Sequence, residues 1–228
     1  MVMDPHEHAK GLAAKKALEF IQDGMVVGLG YGSTAKLFIN LLGERVKQGL
    51  KIRGIAASIY SEEHAKSLGI PIIDFNQATE IDVDVDGADE IAPGLALIKG
   101  GGGALLREKI VASAAKKFVV VADSSKIVAK LGKFPLPVEV IPMAAPLVAK
   151  KFTDMGIRPQ VRKVISGAEF ITDEGNLILD CDCGLISDPA ALAAQIRAIV
   201  GVVEHGLFLN MAEVAIVASE REISILYK

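Results

Sequence analysis

The 228-residue chain contains no tryptophan, and aromatic residues make up only 5% of it. A core of this composition has to be built from Ala, Val, Ile and Leu, which suits α/β folds whose parallel strands are covered on both faces. Positive charge is not in excess: 25 Lys and Arg stand against 28 Asp and Glu, a net charge of −3. That balance argues against nucleic acid as a partner, although a few lysines and helix N-termini still suffice for a small anion. No run of eighteen apolar residues occurs, so no membrane span is expected. The opening MVMDPHEHAKG lacks the basic-then-apolar layout of an export signal, and a cytoplasmic location is expected. The only cysteines, Cys181 and Cys183, are separated by one residue; reduced thiols are the simplest reading. The four histidines (His6, His8, His64, His205) show no metal-ligand spacing.

What is present is 51% apolar, enough for a substantial core in one large domain or two small ones. The densest chemistry lies in 81–111, IDVDVDGADEIAPGLALIKGGGGALLREKIV. It holds a carboxylate cluster, a lysine beside four consecutive glycines, and a Glu–Lys pair. Glycine has the most backbone freedom to lose on folding, so such a run marks a close ligand approach or a turn only glycine allows.

Around this stretch the chain alternates. Asp4, Pro5 and Glu7 suit a helix start, as cap, first helical residue and capping-box partner. A strand at 25–30 runs into Tyr31-Gly32-Ser33-Thr34 and a helix through Leu42, the layout that presents backbone N–H groups to an anion. Strands are expected at 52–57, 70–73, 81–85, 95–98 and 118–122, with a short helix capped by Ser61 and another at 104–115. This order predicts an α/β fold with an open, mostly parallel Rossmann-like sheet and helices on both faces. Ser33, Asp86, Lys99 and Lys126 each follow a strand end, so four strands are expected to direct polar groups to one rim. Phe134-Pro135-Leu136-Pro137 reads as a boundary. The following β-α-β-β-α-β order, ending at 202–207, predicts a smaller α+β ferredoxin-like domain. Strands at 214–218 and 223–226 are expected to return to the first domain. The expected division is therefore 1–132 with 208–228, and 133–207.

Gly28-Leu29-Gly30-Tyr31-Gly32-Ser33 lacks the third glycine of a dinucleotide fingerprint, and no acidic residue follows about twenty positions later. Phosphate binding by Ser33, Thr34 and nearby N–H groups is the functional reading; an ordinary glycine turn is the plain one. Asp86-Gly87-Ala88-Asp89-Glu90 suits a solvated turn, a Mg²⁺ site or metal-free proton transfer, with nearby Lys99 weighing against the metal. Glu108, one turn into its helix, either pairs with a neighbouring base on a wet surface or faces the rim and takes a proton. Lys126 near a helix start gains nothing from the dipole, which favours a role with an anion.

GLGYGSTA, VDGADEI, LIKGGGGALLREKIVA, ADSSK and LGKFPLPVEVIPMA, with GIRPQVRK, TDEGNLILD and GVVEHGLF later, occur in the order and spacing of one family. The chain resembles type A ribose-5-phosphate isomerase over nearly its whole length. That resemblance implies interconversion of ribose 5-phosphate and ribulose 5-phosphate in the non-oxidative pentose phosphate pathway. It implies no metal or organic cofactor, a small-molecule sugar phosphate as partner, and a homodimer or homotetramer. It assigns the catalytic base to Glu108 and sugar handling to Asp86, Gly87, Ala88 and Asp89, with Asp86 assisting ring opening. Lys99, Gly100, Gly101 and Gly102 would receive the negative charge of a cis-enediolate. Tyr31, Gly32, Ser33, Thr34, Lys126 and Lys10 would hold the phosphate. Tyr31 stands where the family usually has Thr, which leaves its backbone N–H for substrate. A partly apolar site is expected to raise Glu108 above its reference value near 4.3. The other classes are an amino-sugar-phosphate deaminase-like enzyme and a non-catalytic sugar-phosphate sensor.

Overall fold

A computed structural model describes residues 5–228; the expected Asp4 cap lies outside them. Glu7 pairs with Lys10 at 2.7 Å. In chain order the elements are α1 (Pro5–Ala17), β1 (Val26–Leu29), α2 (Ser33–Lys47), β2 (Arg53–Ala56), α3 (Ile59–Ser67), β3 (Val83–Asp86), β4 (Glu90–Ala92), β5 (Ala96–Ile98) and α4 (Leu105–Ser113). They continue with β6 (Phe118–Asp123), β7 (Leu136–Val140), α5 (Ala145–Asp154), β8 (Arg158–Val161), β9 (Leu177–Asp182), α6 (Pro189–Arg197), β10 (Val202–His205), β11 (Leu207–Phe208), β12 (Val214–Ala218) and β13 (Ile223–Tyr227).

The main sheet has the order β13-β12-β6-β3-β1-β2, parallel except for the edge strand β13. Its inner strands are buried along their full length; β1, β6 and β12 are mainly apolar, as strands covered on both faces tend to be, and β3 carries the buried Asp84 and Asp86. One face packs on α1 and α2 through Ala13, Ala17, Phe38 and Leu42. The other lies beneath Ala112 of α4 and a small antiparallel sheet, β11-β5-β4. The expected β-α-β-β-α-β segment forms a four-stranded antiparallel sheet, β10-β7-β9-β8, the ferredoxin-like order. Leu136, Val138 and Val140 of β7 alternate inward onto Val148, Phe152 and Ile196 of its two helices. No described helix is long and apolar enough to cross a membrane, and both cysteines are free thiols.

Several local expectations change. The 70–73 strand is only a bridge from Ile72 to Gly54, because Pro71 has no N–H for a ladder. Ser58, not Ser61, caps α3, accepting from the Ser61 N–H at 2.9 Å. The segment before Lys99 belongs to the small antiparallel sheet, so three strands of the parallel sheet, not four, bring polar groups to the rim. Leu136 and Pro137 lie inside β7; Pro137 is tolerated because β10 pairs with β7 no further than Val138.

Candidate active site

β1 and β3 run side by side, with Gly28 opposite Asp84. A Cβ on Gly30 would come within 2.2 Å of the Asp86 carboxyl group, so this glycine is what lets a carboxylate stand between strands. Asp86 is 1% exposed. Its Oδ1 accepts from the N–H groups of Tyr31 (3.0 Å) and Gly87 (2.7 Å), and its Oδ2 lies 2.9 Å from Lys99 Nζ. Lys99 arrives from β5 and is 2% exposed. Its ammonium also reaches the Gly87 carbonyl (2.6 Å) and Glu108 Oε1 (3.1 Å). A lysine has three protons to give, and three oxygens already face it.

Glu108 sits in the first turn of α4, where the helix dipole favours negative charge. The next residue, Lys109, fixes the helix from behind, with Nζ 2.9 Å from Glu204 and 2.5 Å from the His205 carbonyl. Glu108 therefore faces the site, 4% exposed, and its Oε2 is buried without a hydrogen-bond partner among the described residues. Burial pushes Glu108 up to about 8, against the opposing pull of Lys99. Burial likewise raises Asp86, with Lys99 again opposing. Burial disfavours the Lys99 charge, but Asp86 and Glu108 outweigh it and hold the ammonium above its ordinary value.

The glycine run forms a tight loop between β5 and α4, with Gly100 at φ 100° and Gly103 at φ 97°, a region that side chains rarely adopt. The Gly101 N–H donates to Asp89 Oδ2 at 2.7 Å. The outer side of the loop is held by the four-stranded sheet. Arg162 Nη1 donates to the carbonyls of Gly100 (2.9 Å) and Gly101 (3.1 Å), and a Cβ on Gly103 would strike the Phe170 ring at 2.3 Å.

A cavity of about 410 Å³ opens over these groups, ample for a pentose phosphate. Of the expected site residues, Lys10, Tyr31, Gly32, Ser33, Thr34, Gly87, Ala88, Asp89, Lys99, Gly100, Gly101, Gly102, Glu108 and Lys126 all line it. Asp86 does not; it stands behind Lys99 with its oxygens engaged. The Tyr31 N–H is spent on Asp86 rather than left for substrate, while its ring packs on Gly102 and edge-on against Tyr60. At the far end α2 begins after Gly32, at φ 122° and with no side-chain cap, so its first N–H groups are available to an anion. Lys126 enters from the turn after β6, and Lys10 from α1.

Sequence reasoning passed over His6 and Asp123, which lie 3.3 Å apart at the cavity wall. It also passed over Arg162 and Phe170 behind the glycine loop. GIRPQVRK offered no sign that its second arginine reaches across to another sheet. Among the described residues no group of three or more His, Cys, Asp or Glu side chains is arranged to hold a metal ion.

A buried carboxylate–ammonium pair at one end of a cavity and an open helix start at the other define an α/β enzyme suited to proton transfer on a small anion. The comparisons are more specific. The chain belongs to the family of ribose 5-phosphate isomerase A (phosphoriboisomerase A), whose profile matches residues 53–222. It is 52% identical to ribose-5-phosphate isomerase A of Shouchella clausii, over 95% of each chain. It is 50% identical to that of Roseiflexus sp., over 90% of each. Among solved structures it resembles ribose 5-phosphate isomerase A of Methanocaldococcus jannaschii at 41% identity, with a TM-score of 0.93 over 97% of this chain and 99% of that one. A D-ribose-5-phosphate isomerase in complex with phospho-erythronic acid matches at 40% identity, with a TM-score of 0.95 over 98% and 99%.

Proposed function

We propose that the chain interconverts D-ribose 5-phosphate and D-ribulose 5-phosphate through a cis-enediolate, the isomerase step of the non-oxidative pentose phosphate pathway. The observation that carries this is Glu108, a residue of the cavity wall with one carboxylate oxygen tied to Lys99 and the other buried without a hydrogen-bond partner among the described residues. A base raised to about 8 is well matched to a weakly acidic C–H near neutral pH.

In this reading Glu108 Oε2 removes the proton from C2 of the open-chain aldose. The C–H electron pair forms the C1=C2 bond and the carbonyl pair moves onto O1; the C2 hydroxyl proton passes to O1, and Glu108 returns its proton to C1 as the C2 carbonyl forms. Protonation of Glu108 removes the charge that holds one Lys99 proton, freeing the ammonium toward the enediolate as negative charge develops there. The Gly102 N–H assists, while the Gly101 N–H holds Asp89. Ring opening requires an accessible carboxylate. Asp89 lines the cavity and Asp86 does not, so Asp89 takes that step and Asp86 positions Lys99. Ser33, Thr34, the first N–H groups of α2, Lys10 and Lys126 hold the phosphate and orient the reacting carbons. Phospho-erythronic acid carries a phosphate and a carboxylate, the two groups that the opposite ends of this cavity suit.

A coupled assay with ribose 5-phosphate supplied and ribulose 5-phosphate measured tests the reading. Wild-type turnover is expected, unaffected by excess chelator. Glu108→Gln is expected to keep inorganic phosphate binding and lose turnover by about 10²–10⁴-fold. Near-wild-type turnover of that variant removes Glu108 as the base. The chain is taken to act in the cytoplasm as a homodimer or homotetramer, a reading supported by the exposed Met143, Val200, Leu185 and Ile165 beyond the main sheet and checked by sedimentation equilibrium. The division into 1–132 with 208–228, and 133–207, is supported by the apolar core of the four-stranded sheet, which draws most of its buried residues from 133–207 and adds Ile98 and Leu131 from the first segment. Limited proteolysis near Gly132 tests it.

A further inference from the structure

Four consecutive glycines make a loop with little conformational preference of its own, and a peptide unit in such a loop can turn over at small cost. Which way each peptide faces decides the chemistry of the cavity: outward carbonyls leave N–H donors inside, and a turned peptide puts a carbonyl oxygen where an oxyanion has to form. Within the loop the Gly103 N–H donates to the Gly100 carbonyl at 3.0 Å, and from outside one side chain donates to the loop's carbonyls. Arg162, at the end of β8, has its guanidinium locked by Asp180 of β9, with Nε to Oδ2 at 2.9 Å and Nη2 to Oδ1 at 2.5 Å. The remaining nitrogen, Nη1, donates to the carbonyls of both Gly100 and Gly101. The fork is largely shielded, with the Arg162 side chain 13% exposed.

A trans peptide points its C=O and the following N–H in opposite directions. With the Gly100 and Gly101 carbonyls drawn to Arg162, the N–H groups of Gly101 and Gly102 must face the other way, toward the cavity. Gly101 shows this directly, since its N–H meets Asp89, a cavity residue. The Gly102 N–H has no backbone partner among the described residues, which leaves it as the free donor. We propose that Arg162 is a positioning residue for the isomerisation: by holding two glycine carbonyls it keeps the Gly101 N–H on Asp89 and the free Gly102 N–H turned to where the enediolate oxygen forms. The proposal rests on the isomerase reading above and adds that the four-stranded sheet sets the competence of a site it does not line.

The test compares wild type, R162M and R162K as full-length protein, measuring kcat and KM for ribose 5-phosphate and the inhibition constant of inorganic phosphate. Phosphate is held at the opposite end of the cavity and reports whether the site as a whole survives. R162M is expected to lower kcat by about tenfold to a hundredfold, somewhat less than deletion of an oxyanion donor. Its phosphate inhibition constant should stay within about twofold of wild type, and R162K, which keeps a donor, should recover part of kcat. R162M with wild-type kcat overturns the proposal, as does a phosphate constant that worsens in step with kcat, which marks a merely structural role. If R162M does not fold, D180N replaces it, leaving the guanidinium without its anchor; a lower kcat at unchanged phosphate inhibition is expected, and unchanged kcat overturns the proposal. Variants that match an active wild type overturn only the role of Arg162, whereas a wild type without turnover overturns the isomerase reading as well.

Discussion

At one end of the cavity Lys99 and Glu108 are 2% and 4% exposed and bonded to each other. At the other, Ser33 is exposed and Lys126 is half-buried, with no hydrogen bond to a described residue. The two ends handle charge of the same sign in opposite ways. On the proposed assignment the phosphate arrives fully charged, so a wet helix start with Lys10 and Lys126 beside it suffices to bind it. The enediolate exists only in passing and must be stabilised more than the ground state, which takes donors fixed in a dry setting. Burial that would be wasteful at the phosphate end is therefore what raises the base at the other.

The largest test of this contrast is Lys99→Met. It leaves Asp86 and Glu108 buried without their shared counter-charge, so turnover should fall by at least about 10²–10³-fold. Thermal stability should drop with it, by about 3–5 kcal/mol, read as a shift in the denaturation midpoint. A stable, active variant would mean that the dry end does not depend on this ion pair.

At the phosphate end, Lys126→Ala should raise KM by about tenfold with kcat nearly unchanged, as expected for binding energy shared by ground and transition states. A fall in kcat alone would blur the division between the two ends. The contrast should also appear in pH. As the proposed base, Glu108 would act in its carboxylate form, and burial holds it up to about 8, so kcat/KM should climb as pH rises toward and through that value. A rate that is flat from pH 6 to 9 would contradict a buried, raised base.

The smallest effect concerns Asp84, two residues before Asp86; both its carboxylate oxygens are buried without a side-chain hydrogen-bond partner among the described residues. Burial raises it well above its ordinary value, helped by Asp86. The folded chain keeps a proton that the unfolded chain releases above about pH 4. Its contribution to stability is therefore greatest in acid and declines as pH rises. Asp84→Val should stabilise the fold by about 1–3 kcal/mol at neutral pH and flatten the fall of the melting midpoint between pH 5 and 8. An unchanged midpoint would show that Asp84 has a partner after all.

How much of this was legible in the chain differs by feature. Strand-glycine-helix at Gly30 to Ser33 and the apolar FVVVA run carry their own periodicity, so the parallel sheet could be read directly. The small sheet could not: the strand expected at 95–98 is present as β5, but β4 and β11 are three and two residues long and gain their identity only by pairing. Ser58 and Ser61 are equally good caps in sequence; packing of Ser61 against the Gly30 carbonyl at 2.7 Å chose between them. Asp86 and Asp89 look alike within DGAD, yet one is sealed behind Lys99 and the other meets the cavity.

The sequence by itself singled out the candidate residues: the glycine run with Lys99 and Glu108, the Ser33 turn and the motifs that name the family. These are local in the chain, because a loop and the helix it starts can be read from spacing. Only the tertiary structure decided which carboxylate is buried, which N–H is already spent, and that Arg162 grips the glycine loop from another sheet. Those are matters of burial and contact across sixty or more residues, which no local pattern encodes.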